Sequence, residues 1–271
     1  MPVLLFRHVA TSGRLSLALL LLAGVLVTAC QSTQDPPDFE DLASAEDLYD
    51  SGLKKLKLQF WMGFLPRVDY DGAIEEFQSI IDNYPYSDYA VKAELRIADA
   101  YFADKRYDEA LSYYRDFADL HPQNDRVPYT ILRSAMCYYE QIAAINRDQT
   151  ATHEAMSYLE RLMREYPYSP ETREGEQVYL ELRGRLARSV MRVGDFYYER
   201  REYQAAADRY RSVIDRYPGL GQDAEALFKL GVCYRQMKRN DEALRLFHVV
   251  VENYRDSAVA ERALERLSST N

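Results

Sequence analysis

Histidine and cysteine are scarce in this chain, which holds four of one and three of the other in 271 residues. None of His121, His153 and His248 is spaced for metal binding with another histidine or a cysteine, so a zinc-type ligand set is missing. There is no G-x-S-x-G, no P-loop and no G-x-G-x-x-G, which removes the usual sequence basis for elbow-type nucleophiles and nucleotide binding. Carboxylate pairs such as Glu75 and Glu76 fit an acidic helix face, and a glycosidase pair needs a cleft that sequence does not show. The chain therefore reads as non-enzymatic, with neither metal nor cofactor. Positive charge is also in deficit: 34 basic residues stand against 43 acidic ones, a net charge of −9, a poor balance for nucleic acid. No apolar heptad run supports a coiled coil.

Long apolar runs are missing too, with one short exception at the start. A stretch with Arg7, His8 and Arg14 and no acidic residue leads into an apolar segment over 15–27. That order is the layout of an export signal, and its length falls short of the roughly 20 residues of a membrane-spanning helix. It ends in Val27-Thr28-Ala29-Cys30, which resembles the bacterial lipobox. The expectation is a signal peptide over 1–29, cleaved so that Cys30 carries N-acyl and S-diacylglycerol groups. Three acyl chains, at about 0.8 kcal/mol per buried CH₂, hold a protein on a membrane far better than one. Gln31 stands in place of the aspartate that resembles an inner-membrane retention signal, so the expected address is the periplasmic face of the outer membrane. Residues 30–42 form the lipidated cysteine and a polar tether of about a dozen residues, which keeps the first repeat within about 45 Å of the bilayer.

The remainder is organised by an internal repeat. Segments 70–85, 107–122, 152–167, 203–218 and 240–255 superpose without gaps. Each has a small residue (Ala73, Ala110, Ala155, Ala206, Ala243), a large one four later (Phe77, Tyr114, Leu159, Tyr210, Phe247) and another apolar one seven later. Spacing of 0, 4 and 7 is one face of a helix. Pro85, Pro122, Pro167 and Pro218 end it, because proline lacks the N–H and disfavours helix before it. A second helix precedes most of these, with its own small and aromatic pair: Ala98 and Tyr101, Ala135 and Tyr138, Gly194 and Tyr197, Gly231 and Tyr234. Cys137 and Cys233 fall at equivalent places and read as core residues. The unit resembles a tetratricopeptide repeat, so the expected fold is an all-α, tetratricopeptide-like helical-hairpin solenoid of five units. Repeats 1–2 occupy 43–125, repeat 3 with an inserted loop 126–172, and repeats 4–5 173–271. The first helix of repeat 4 is predicted to be extended, from about Glu174 through Arg192.

A stack of helix pairs offers a groove lined by the first helix of each unit. Tyr49, Lys92, Arg96, Phe102, Tyr129, Arg133 and Tyr139 are placed to face it, and basic groups beside aromatics suit an extended peptide ending in a carboxylate and an aromatic side chain. The plainer reading pairs Lys92 and Arg96 with Glu94 or Asp99 on a solvated face. The segment 60–65, with Trp61, either caps the first repeat or offers an apolar patch to a partner or the membrane.

The lipobox, the tether, the five units, Arg147-Asp148-Gln149-Thr150, Pro167-Tyr168-Ser169 before a long helix, and the stretches 185–210 and 233–243 together resemble the BamD family of outer-membrane assembly lipoproteins. The resemblance covers nearly the whole mature chain and departs at 60–65. It implies a component of the β-barrel assembly machinery that binds POTRA domains of the barrel-forming subunit through its C-terminal repeats. It also implies that nascent outer-membrane proteins are received by the N-terminal repeats, and it leaves room for other accessory lipoproteins. The family's partner-contacting arginine matches Arg209, which has Asp208 and Asp215 as local alternatives. Two other classes stand beside this reading: a periplasmic tetratricopeptide scaffold coordinating cell-envelope or division processes, and a solenoid enzyme such as a lytic transglycosylase, for which the chain lacks an additional catalytic domain.

Overall fold

A proline two residues past the second helix in four of the units, and a serine two residues beyond that proline in two of the turns, set where the helices stop and start. The computed structural model describes residues 43–57, 59–61, 65–142 and 148–269. The signal, Cys30 and the tether lie outside these, as do residues 62–64 of the inserted segment and Arg147. From Ala45 onward the chain forms one compact unit.

Unit 1 pairs α1 (Ala45–Lys55) with α2 (Tyr70–Asn83), and two short strands stand between them, β1 (Gln59–Trp61) and β2 (Leu65–Arg67). They pair antiparallel, with Phe60 opposite Pro66 and Trp61 opposite Leu65. The cap and exposed-patch readings of that segment turn on side chains of residues 60–65, which lie outside those described. Unit 2 pairs α3 (Asp88–Ala103) with α4 (Tyr107–Leu120), unit 3 pairs α5 (Val127–Glu140) with α6 (Thr150–Glu165), and unit 4 pairs α7 (Pro170–Glu199) with α8 (Tyr203–Arg216). Unit 5 pairs α9 (Asp223–Gln236) with α10 (Asn240–Asn253), and α11 (Ala258–Ser268) comes last. Each helix packs on the next in sequence, which is the neighbour-only contact pattern of a solenoid.

The stops are alike because the chemistry is alike. Tyr84, His121, Tyr166, Tyr217 and Tyr254 all leave the helix near φ −130°, each returning its N–H to a carbonyl four residues back. Ser87, Ser169 and Ser257 then start α3, α7 and α11 by accepting the N–H three residues on, the usual N-cap arrangement.

The five small residues and their large partners are all buried. The first helices approach them closely through Gly52, Gly194 and Gly231, where a Cβ would lie 2.6, 2.6 and 2.7 Å from the rings of Phe77, Tyr210 and Phe247. Cys137 and Cys233 are free and buried, and burial pushes each thiol up to about 12. The long helix of unit 4 runs the full 30 residues from Pro170 to Glu199, beyond both expected ends. Pro170 suits the first helical position, where its missing N–H costs nothing. Its N-terminal part packs Gly175 on Leu159 and Leu162 of unit 3, while its C-terminal part packs Gly194 on Tyr210. One rod thus closes one unit and opens the next.

Candidate functional site

On α3, Lys92, Arg96 and Asp99 recur at intervals of four and three, so they share a face. Arg96 donates from Nε to the Tyr49 hydroxyl at 3.1 Å and approaches Asp99 Oδ2 with Nη1 at 3.5 Å. Asp99 Oδ1 accepts two phenolic hydrogens, from Tyr114 at 2.8 Å and Tyr129 at 2.7 Å. Arg133 donates from Nε to the Tyr114 oxygen at 3.4 Å and lays its guanidinium over the Phe102 ring at 3.7 Å. Arg126 covers Tyr129 at 4.5 Å. Helices α1, α3, α4 and α5 therefore meet in one network of guanidinium groups, phenols and a single carboxylate.

The electrostatics are set by burial and by Asp99. Burial raises the Tyr129 phenol first and the Asp99 charge adds to it, together to about 12. Tyr114, fully buried, is driven up further by the same two causes. Both phenols stay protonated and donate, and the carboxylate stays in place to orient Arg96. Beside the network a cleft of about 720 Å³ is lined by Tyr49, Lys92, Leu95, Arg96, Phe117 and Arg126 among others. It can hold an apolar side chain next to a carboxylate.

The structure thus brings Tyr49, Lys92 and Arg96 to the cleft and Phe102, Tyr129 and Arg133 to the network behind it. Lys92 lies over the Tyr89 ring at 5.0 Å, and Glu94 is taken by His121 Nε2 at 2.7 Å. Tyr139 stands apart: its hydroxyl donates to Glu181 on α7 at 2.8 Å, outside the Asp99 network. Arg209 is exposed on α8 and has no hydrogen bond or ion pair among the described residues. Asp208 accepts from Gln204 at 2.9 Å instead.

Sequence reasoning missed a second centre. Asp195 Oδ1 accepts from the Tyr210 hydroxyl at 2.7 Å and from Lys229 Nζ at 2.7 Å, and a cleft of about 510 Å³ opens there between Tyr198, Phe228, Val232 and Arg262. Asp195, Tyr210 and Lys229 stand at one constant spacing after Asp99, Tyr114 and Arg133. Its signal was present in the repeat alignment: only units 2 and 4 have tyrosine where the others have phenylalanine or leucine, and only these have aspartate after the small residue. Among the described residues no group of three or more His, Cys, Asp or Glu side chains is arranged to hold a metal ion, and no helix is long and apolar enough to cross a membrane.

Comparison with known proteins matches residues 43–246 to the sequence profile of the family YfiO, described as "Outer membrane lipoprotein". The outer membrane protein assembly factor BamD of Rickettsia prowazekii is 29% identical over 241 residues, covering 89% of this chain and 92% of its own. That of Caulobacter vibrioides is 27% identical, covering 88% and 75%. Among solved structures, the TPR2AB domain of yeast Sti1 in complex with pHSP90 covers 80% of each chain at 14% identity and a TM-score of 0.41. A thermophilic tetratricopeptide protein of Thermus thermophilus covers 83% of this chain and 99% of its own at 18% identity and a TM-score of 0.33.

Proposed function

The chain belongs to the YfiO family of outer membrane lipoproteins, and from that premise we propose that it is a non-enzymatic assembly factor for outer-membrane β-barrels. Its relatives in Rickettsia and Caulobacter carry the name of outer membrane protein assembly factors, and a role in outer-membrane protein assembly is the shared ground. The finer reading is ours. Cys30 carries the lipid anchor, with N-acyl and S-diacylglycerol groups, at the periplasmic face of the outer membrane. The N-terminal units receive the C-terminal segment of a nascent barrel protein, and the C-terminal units bind POTRA domains of the barrel-forming subunit through Arg209.

The observation that carries the client half of this reading is the cleft beside Arg96. A cation fixed by Tyr49 and Asp99 in the lining of a cleft that also holds Leu95 and Phe117 suits a terminal carboxylate next to an aromatic side chain. A charge-assisted bond to carboxylate is roughly twice as strong as a neutral one. Aromatic walls supply area with little entropy to lose. A fluorescent peptide copying the last ten or so residues of a barrel protein is the test. It binds the full chain, weakens about tenfold on Arg96→Glu, and loses its preference for a free over an amidated C-terminus. Unchanged binding by Arg96→Glu overturns the groove assignment.

The partner half rests on Arg209 itself, an exposed guanidinium that pairs with neither Asp208 nor Asp215 among the described residues. A free arginine at a surface is available for a bidentate contact to a partner's carboxylate.

A further inference from the structure

Three residues other than glycine have positive φ among those described: Lys105 at 64°, Arg201 at 61° and Lys238 at 62°. All three are the second residue past the end of a unit's first helix, immediately after the C-caps Asp104, Arg200 and Met237. The backbone closes alike each time. The N–H of Lys105, Arg201 and Lys238 returns to Phe102, Tyr198 and Arg235, and the next N–H reaches one residue further back, to Tyr101, Tyr197 and Tyr234. This is the left-handed helix stop at which glycine is the favoured residue, because any Cβ is strained there. The fold alone asks for glycine three times. The sequence supplies lysine, arginine and lysine.

Their side chains have no structural use that offsets the strain. Each is exposed, and none has a hydrogen bond, ion pair or ring contact among the described residues. The basic residue beside each one is, by contrast, held locally. Arg106 pairs with Glu109 and Asp71 over the Tyr101 ring, Arg239 pairs with Glu242 over the Tyr234 ring, and Arg200 lies over Phe196. Each turn thus consumes one cation at home and presents the other.

Backbone strain at a place with no packing reason points to a contact outside the molecule. The contact must be anionic. Carboxylates share the same turns: Asp104 precedes Lys105, Glu202 comes after Arg201, and Asp241 lies three residues past Lys238. A uniformly negative lipid surface would repel these, whereas a folded protein can match both signs position by position. Arg209, likewise exposed and free, lies on α8, the helix that Arg201 leads into. We propose that Lys105, Arg201 and Lys238 are a repeated set of docking cations, one per turn, that meet carboxylates on the folded partner assigned above to Arg209. The inference rests on that assignment.

Glycine at these positions tests it, since glycine removes the charge while relieving the backbone. The full mature chain with Lys105→Gly, Arg201→Gly and Lys238→Gly combined is compared with the parent and with Arg209→Glu for association with the purified periplasmic region of the barrel-forming subunit. At low ionic strength the triple variant associates on the order of 30-fold more slowly, as expected for three rim charges, and the gap closes with salt. Its melting temperature is equal to the parent's or higher. Binding like the parent's while Arg209→Glu binds poorly overturns this inference and leaves the Arg209 contact standing. A lowered melting temperature with unchanged binding assigns the cations to the fold and overturns it too. So does a defect seen only on vesicles containing phosphatidylglycerol. If the parent chain itself does not bind, the Arg209 assignment falls and this inference with it.

Discussion

Tyr114 donates its phenolic hydrogen to Asp99 across 2.8 Å, from the second helix of its unit to the first. The acceptor is shared with Tyr129 of the next unit, so one carboxylate ties units 2 and 3 together. Tyr210 and Asp195 repeat the bond at 2.7 Å in unit 4, with Lys229 of unit 5 as the third member. Units 2 and 4 of the solenoid thus share this polar clasp, where units 1, 3 and 5 place Phe77, Leu159 and Phe247 at the tyrosine's position.

Removing the acceptor therefore leaves donors stranded. Asp99→Ala is predicted to destabilise by about 2–4 kcal/mol, since each buried hydroxyl without a partner costs roughly 1–3 kcal/mol. Tyr114→Phe in that background is close to neutral, because it deletes the stranded group. Urea unfolding of the two single variants and the double gives the coupling. Simple additivity contradicts the clasp.

Alkaline pH is predicted to unfold the chain earlier than its acidic composition suggests. Tyr114, Tyr129 and Tyr210, with Cys137 and Cys233, all have pKa values raised on folding, chiefly by burial. A group that holds its proton more tightly when folded stabilises the fold below its unfolded pKa and loses that contribution as pH rises through its folded one. The window opens near pH 9 for the thiols and near 10 for the phenols, and stretches to about 12 and beyond. Each such group steepens the fall by at most about 1.4 kcal/mol per pH unit. Cys137→Ala combined with Cys233→Ala flattens the loss between pH 9 and 10, measured by chemical denaturation across pH. A stability curve of unchanged slope over that interval contradicts the assignment.

Two glycines of the same helix are predicted to behave oppositely. Gly184→Ala on α7 raises stability by up to about 1 kcal/mol, the helix-propensity gain, because the added Cβ meets only a side-chain end 3.6 Å away, at Arg188. Gly194→Ala lowers it by about 1–3 kcal/mol through overpacking, less that propensity gain, because the Cβ would stand 2.6 Å from the Tyr210 ring. Thermal melts of both variants decide it. An increase in both contradicts the close approach of α7 to α8.

Much of the fold was legible because each unit repeats the same physical requirements. Ala110, Tyr114, Phe117 and Pro122 announce a buried stripe and a stop, and the structure buries the first three and ends α4 before the last. Other parts lay outside that pattern. Helix α11 comes after Arg255 where the other units have proline, so the repeat hid it, although Ser257 and the buried Ala260 and Ala263 mark a capped, one-sided helix. Gly52 went unnoticed because unit 1 departs from the common spacing. At the site, the facing residues of α3 were readable from their distance to Ala98. The Asp99 clasp was not, since a tyrosine at a core position reads as volume and its hydroxyl is silent until the opposing helix is placed.

The most direct measure of the proposed role is what the chain is bound to in the envelope. Affinity capture of the full-length, signal-bearing protein from detergent-solubilised outer membranes, coupled to mass spectrometry, measures this. The predicted result is a lipidated Cys30, co-purification of a β-barrel protein carrying POTRA domains, and loss of that protein on Arg209→Glu with the rest of the chain still folded. A folded, membrane-bound chain that captures no such barrel protein would contradict it.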